Sequence, residues 1–125
     1  MAYSTDQKIA IQKVLAESKE PLKPTDILKT ARLSIPTLGI ATVYRHLQGL
    51  QKEGRVEVIE VPQSSPRYIL SNDRCSSYFL CTQCDRLFPL REESQEINSV
   101  MLTQYDVSSY QGFYYGACKE KCGPI

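Results

Sequence analysis

The polar and apolar positions of this chain change period partway along, and the change divides it. Residues 5–18 repeat at helical spacing, with Ile11, Val14 and Leu15 on one face and Ser4 or Thr5 available as a cap. Glu20-Pro-Leu-Lys23 interrupts the pattern. Pro24 then suits the first position of a second helix, with Asp26 in its first turn and Ile27, Leu28 and Ala31 facing inward. A turn through Ser34-Ile-Pro36 leads to a third helix expected over 37–52. Its apolar positions Ile40, Val43, Leu47 and Leu50 form the buried face, and Ala41, Tyr44, Arg45, Gln48 and Lys52 form the opposite one. His46 falls at the edge of the buried face and reads as a packed, hydrogen-bonded residue.

Gly54 ends the third helix, and the period becomes that of strands. Residues 56–61 and 67–70 are short β runs joined by the loop Pro62-Gln-Ser-Ser-Pro66. Three helices followed by a hairpin make a winged helix, a variant of the helix-turn-helix. Ser71-Asn-Asp-Arg74 is polar and marks a hinge between a domain over 1–70 and another over 75–125. The second domain is expected to hold strands near 78–80 and 86–89, a helix over 92–104 with Ile97, Val100 and Met101 on one face, and a strand over 107–116. The fold class is therefore α+β.

Chemistry enters with the cysteines. Cys81-Thr-Gln-Cys84 and Cys118-Lys-Glu-Lys-Cys122 are two close pairs in a chain with one histidine. Four thiols so spaced suit a tetrahedral, all-sulfur Zn²⁺ site, one structural ion per chain, with no coordination position open for catalysis. A disulfide pair and a redox couple are the alternatives; a reducing compartment disfavours the first, and the strand-like run after Cys84 disfavours the second. Cys75 is left over, as a small apolar residue or a redox-active thiol. The half of about 60 residues that carries the cysteines is marginal on hydrophobic burial alone, so a metal staple suits it.

Charge adds a mild bias. Residues 1–70 carry ten Lys/Arg against seven Asp/Glu, and residues 71–125 carry five against seven. The first half is therefore the one suited to nucleic acid. No basic-then-apolar leader and no run of about 18 apolar residues is present, so a soluble cytoplasmic protein without a membrane partner is expected. No nucleophile–base pair or small-molecule site is evident, which argues against an enzyme.

Ile40-Ala-Thr-Val-Tyr-Arg-His-Leu47, the hairpin closing in Arg67-Tyr-Ile-Leu70, and the cysteine pairs together resemble the ferric uptake regulator family of bacterial transcription regulators, over about residues 6–122. The resemblance implies a winged-helix DNA-binding domain and an α/β dimerisation domain. The chain would then be a homodimeric regulator, expected to repress, on a palindromic operator in double-stranded DNA. Tyr44 and Arg45 match family positions that contact DNA, and Thr37 and Thr42 are further DNA-binding candidates. Lys8, Lys52 and Arg67 are candidates for phosphate contacts. The family's basic N-terminal arm aligns with Ala2-Tyr-Ser4, which holds no cation.

The family's second, regulatory metal site has no matching set of ligands. Its His-rich run falls on Arg74-Cys-Ser-Ser-Tyr78, a further His position on Tyr110 and an acidic position on Ile69. Glu96 alone matches, and one carboxylate does not hold a transition metal tightly. The second cysteine pair has three intervening residues where the family usually has two. The expectation is a regulator with a structural zinc and no conventional sensor metal. The rival readings are a protein-interaction or heterodimerisation module that does not bind DNA, and a redox-responsive regulator acting through Cys75 or the zinc thiolates. The aromatic run Tyr105, Tyr110, Phe113, Tyr114 and Tyr115 is assigned to sheet core and dimer interface rather than to base stacking.

Overall fold

The computed structural model describes residues 2–91 and 103–119. The chain divides into two compact units, Met1–Arg74 and Cys75–Ile125. Unit 1 contains helices α1 (Ala2–Ser18), α2 (Pro24–Ala31) and α3 (Ile40–Lys52), then strands β1 (Val56–Ile59) and β2 (Arg67–Leu70). This is a winged helix-turn-helix.

Its core follows from the helical pattern. Ile11, Val14 and Leu15 of α1 meet Ile27 and Ala31 of α2 and Val43, Leu47 and Leu50 of α3, with Leu22, Leu38 and Val56 closing the cluster. Spacings of three and four residues put each set on one helix face, and burying each large side chain contributes about 1.5–3 kcal/mol. Leu28 is only partly buried at the margin.

Two helix starts differ from expectation. α1 begins at Ala2, so Ser4 and Thr5 lie inside its first turn and are not its N-cap; nothing in Ala2-Tyr-Ser4 breaks the helix ahead of them. α3 begins at Ile40, three residues late. Leu38 is buried in the core and Gly39 is extended (φ −109°, ψ 161°) as the N-cap. Seating Leu38 therefore leaves Thr37 in the preceding turn and Ile40 exposed, 38% of its surface remaining accessible.

α3 ends in a Schellman arrangement. Gly54 adopts φ 76°, its N–H donates to the Gln51 carbonyl (3.0 Å), and the Arg55 N–H donates to the Leu50 carbonyl (3.0 Å). Glycine suits this left-handed position because an L side chain there is strained. The chain turns directly into β1, which pairs antiparallel with β2 from Val56↔Leu70 to Ile59↔Arg67. The ladder stops at Ile59, two residues short of expectation. Val61 turns inward and is buried, and its carbonyl accepts from the Ser64 N–H (3.1 Å) to open the wing loop. Leu22 adds a short third rung to the wing. It exchanges both backbone hydrogen bonds with Tyr68, at 2.9 and 2.8 Å.

Residues Ser71–Asp73 form a 3₁₀ turn. The Ser71 N–H donates to the Arg55 carbonyl (2.9 Å), its Oγ donates to the Gly54 carbonyl (2.8 Å), and Arg74 pairs with Glu57. The segment expected as a hinge is thus fastened to the end of α3 and to β1.

Unit 2 holds a three-stranded sheet of order β4-β3-β5, formed by β3 (Ser77–Cys81), β4 (Leu87–Pro89) and β5 (Gly112–Gly116). β3 is antiparallel to β4 and parallel to β5. Tyr78 is fully buried and stacks on Phe113 at 6.1 Å, and Phe79 stacks on Phe88 at 6.4 Å. The strand expected over 107–116 occupies only its second half, because 108–111 expose their side chains and have no apolar face to bury. The aromatic expectation also narrows. Phe113 is half-buried in the sheet, whereas Tyr105, Tyr110, Tyr114 and Tyr115 are exposed in the single chain. Most of the helix expected over 92–104, with Glu96, Ile97, Val100 and Met101, lies outside the described residues. No helix among the described residues is long and apolar enough to cross a membrane.

Candidate nucleic-acid interface and metal centre

The exposed face of α3 is built by the same periodicity that builds its buried one. With Val43, Leu47 and Leu50 turned into the core, Ala41, Tyr44, Arg45, Gln48 and Lys52 are left on the surface. Thr42 is half-buried beside them, and Thr37 is exposed in the preceding turn. Gln48, Gln51 and Lys52 line a shallow surface depression near the end of the helix. Tyr44 keeps 45% of its surface exposed, presenting a phenol and a neighbouring guanidinium outward. Such a pair can meet thymine methyls and guanine edges in a major groove.

Local charge is stronger than the whole-chain balance indicates. Residues 23–52 contain five Lys/Arg and one acidic residue, Asp26. The hairpin side differs: Glu57 and Glu60 sit on or beside β1. Arg67 is corrected here as a phosphate-contact candidate. It is buried, with 1% of its surface accessible, and its Nη1 donates to Ser64 Oγ (3.1 Å), Ser65 Oγ (3.2 Å) and the Ser65 carbonyl. The guanidinium is used inside the wing loop, holding its shape, and is not on the surface that a phosphate could reach. Lys8 is half-committed: its Nζ lies 2.9 Å from a Glu53 carboxylate oxygen, which lowers the pKa of Glu53 through that hydrogen bond.

His46 behaves as a structural residue. Its Nε2 lies 3.3 Å from Oε1 of Gln7, a buried side chain on α1, and so links α1 to α3. Burial first, then the charges of Arg45 and Lys8, hold the imidazole below its ordinary pKa. Tyr68 on the wing is pushed the other way, by burial and then by Tyr44 and Glu60. Arg32, at the end of α2, was not singled out by sequence reasoning. Its Nε donates to the Leu38 carbonyl at 2.8 Å across the α2–α3 turn. A signal was available: the nearest acid before it is Asp26 and the nearest after it is Glu53.

In unit 2 the cysteines converge. Cys81 ends β3, and its carbonyl accepts from the Asp85 N–H at 2.8 Å, closing a tight turn that contains Cys84. Asp85 takes a positive φ of 60°, which lets the turn reverse into β4. β5 runs parallel to β3 with Cys81 opposite Gly116, and both the N–H and Oγ of Thr82 donate to the Gly116 carbonyl, at 2.7 and 3.0 Å. Cys118 lies two residues beyond that anchor. As a result the sulfurs of Cys81, Cys84 and Cys118 all lie within 4.8 Å of one another. Zn–S bonds of about 2.3 Å in tetrahedral geometry place sulfurs about 3.8 Å apart, so the three thiols fit a common ion after minor adjustment. A strand, not a helix, follows Cys84, unlike the usual setting of a redox CxxC pair. Cys122 lies outside the described residues.

The ferric uptake regulator family model matches residues 2–112. The chain belongs to the ferric uptake regulator family. The peroxide-responsive repressor PerR of Staphylococcus aureus (strain USA300) is 27% identical over 120 residues, which cover 93% of this chain and 80% of the relative. Among solved structures, the Helicobacter pylori ferric uptake regulator Fur, described as having three functional metal binding sites, superposes with a TM-score of 0.73 at 25% identity. That match covers 90% of this chain and 77% of the other. A zinc-bound manganese uptake regulator shares the fold, with a TM-score of 0.76 at 15% identity over 90% and 87% of the two chains.

The residues expected to fall at the family's regulatory ligand positions are placed as follows. Ile69 is fully buried in unit 1, and an aliphatic side chain offers a metal no donor. Tyr110 is exposed on an irregular segment. Cys75 is half-buried, with its N–H donated to the Tyr78 hydroxyl (2.7 Å) and Arg91 Nη1 3.4 Å from its sulfur. Among the described residues, Cys81, Cys84 and Cys118 form the one cluster of three or more ligating side chains.

Proposed function

We propose that this family member is a DNA-binding transcription regulator that works as a repressor, as a homodimer on a palindromic operator, and is not an enzyme. The observation that carries the reading is the α3 surface, where Tyr44 and Arg45 are exposed on a helix-turn-helix segment rich in cations. Tyr44, Arg45, Thr42 and Thr37 are the base-side candidates, and Lys52 with Lys8 the phosphate-side ones; Arg67 leaves the set. A two-fold dimer would match an operator of two half-sites, with unit 2 as its dimerisation domain. One Zn²⁺ per chain, held by Cys81, Cys84, Cys118 and Cys122, would staple that unit and leave no open coordination position.

The protein carries a structural metal and no conventional sensor metal on this reading. Selection of duplexes from a random pool, with and without Fe²⁺, Mn²⁺ and peroxide, tests it. A palindrome enriched without added metal is the expected result. Enrichment that requires Fe²⁺ or Mn²⁺ would restore a sensor site, and enrichment of nothing under any condition would favour the interaction module. A redox-responsive variant of the same function is supported by Arg91 beside Cys75; loss of DNA binding on peroxide treatment, absent in Cys75→Ala, would select it.

A further inference from the structure

The DNA-facing surface needs cations that fix the protein on the duplex as well as side chains that read it. In unit 1 the wing supplies few. Its loop residues 62–66 carry no charge, Arg67 is turned inward, and Glu57 and Glu60 border it. The turn between α2 and α3 contrasts with it. Arg32 is exposed, is the C-cap residue of α2, and reaches across the turn so that its Nε donates to the Leu38 carbonyl at 2.8 Å, two residues before α3 begins.

That single bond leaves the Nη groups of the guanidinium for another acceptor. A guanidinium has five N–H donors in a rigid fork, and Nε uses one of them. Among the described residues no carboxylate forms an ion pair with Arg32, whereas Lys8, Lys13 and Arg74 each have one. Along the chain, Asp26 is the sole acid between residues 23 and 52. Ile40, which opens α3, and Thr37 are exposed beside the same turn. In helix-turn-helix proteins the N-terminal residues of the recognition helix meet base edges, so a side chain fastened just before that helix lies near the strand it enters.

We propose that Arg32 is a DNA phosphate-contacting residue, held ready for the contact by its own hydrogen bond to Leu38. The inference rests on the DNA-binding reading of α3 and adds a cation outside it. A phosphate accepts two N–H groups from an arginine side by side, and a side chain already tethered loses less freedom on binding than a free one. Because phosphates carry no sequence information, Arg32 strengthens binding to selected and unselected duplexes alike.

The test measures affinity against salt concentration for the full chain. It uses a duplex selected from a random pool by the wild-type chain and a mixed-sequence duplex lacking the selected element. Arg32→Gln is expected to weaken binding to both by roughly tenfold and to flatten the log–log salt slope by about 0.9 for each phosphate that is no longer neutralised. Arg32→Lys keeps a point charge and is expected to retain the slope with a smaller drop in affinity. If Arg32→Gln does not fold, single neutral methylphosphonates in the selected duplex serve instead. One of them must weaken the wild-type chain more than it weakens Arg32→Lys. A folded Arg32→Gln with the wild-type slope, or no methylphosphonate that distinguishes wild type from Arg32→Lys, overturns the assignment of Arg32 alone. A wild-type chain that binds neither duplex overturns the DNA-binding reading with it.

Discussion

The two units stay folded by different means. Among the described residues, unit 1 has one continuous core cluster of eleven buried residues, drawn from three helices, the α1–α2 and α2–α3 connections and the first strand. In the described part of unit 2, the buried apolar residues are Tyr78, Leu80, Cys81 and Leu87. One of those four is also a metal-ligand candidate. Among the described residues, a thin sheet with three converged thiols suits stabilisation by a cross-link, while unit 1 has a larger apolar cluster to rely on. The difference teaches where the proposed metal would act: at the end of the sheet, where the described residues bury the least apolar surface.

With the proposed Zn²⁺ on the three thiols, the largest effect should come from removing it. Structural zinc in small domains carries folding free energy of order 10 kcal/mol, so a strong chelator or Cys81→Ser is expected to unfold unit 2 and leave unit 1 folded. Hydrogen exchange resolved by residue checks this. Amides of β3 should lose protection while those of α3 keep it, and simultaneous loss in both would erase the contrast.

Leu47→Ala should produce the converse, costing unit 1 about 2–5 kcal/mol because Leu47 is fully buried against α1 and α2. Urea unfolding followed by helix signal measures it, and the zinc content per chain should not change. Gly54→Ala sharpens the same point on a smaller scale. A Cβ at Gly54 would meet nothing within 4 Å, so the expected cost of about 1–2 kcal/mol is purely that of the left-handed backbone; an unchanged urea midpoint would show that the Schellman turn relaxes.

The smallest effect concerns pH. His46 has a folded-state pKa below its unfolded value, through burial and then through Arg45 and Lys8. Both states are neutral well above pH 6.5, and the stabilising contribution is complete there. As the pH falls below about 6.5 the unfolded state takes up the proton first, so unit 1 should lose stability until the folded imidazole also titrates. His46→Gln should reduce that slope, and an unchanged slope would assign the pH dependence elsewhere.

Much of this architecture was legible in the residues. The three helices, the hairpin and the Cys81–Cys84 turn follow from periodicity, proline and glycine placement, and thiol spacing. What escaped was decided by contacts distant in sequence. Ile40 fits the buried period of α3, yet Leu38 fills that place because the turn after Pro36 brings it inward. Arg67 reads as a wing cation, yet two serines and a carbonyl of its own loop draw it inside. Cys118 is distant from Cys81 in sequence, and only the parallel register of β3 and β5 shows how they meet. The salt link of Lys8 to Glu53, far later in the chain, had no local signal at all.

The two hydrogen bonds that join Leu22 to Tyr68 have a mechanical consequence. They cross from the connection between the first two helices to the second wing strand, so the hairpin is braced at both its root and its flank. The wing is therefore tied to the connection between α1 and α2 as well as to the end of α3. Loosening the wing alone would first have to break that brace, and slow exchange at the amides of Leu22 and Tyr68 would mark its strength.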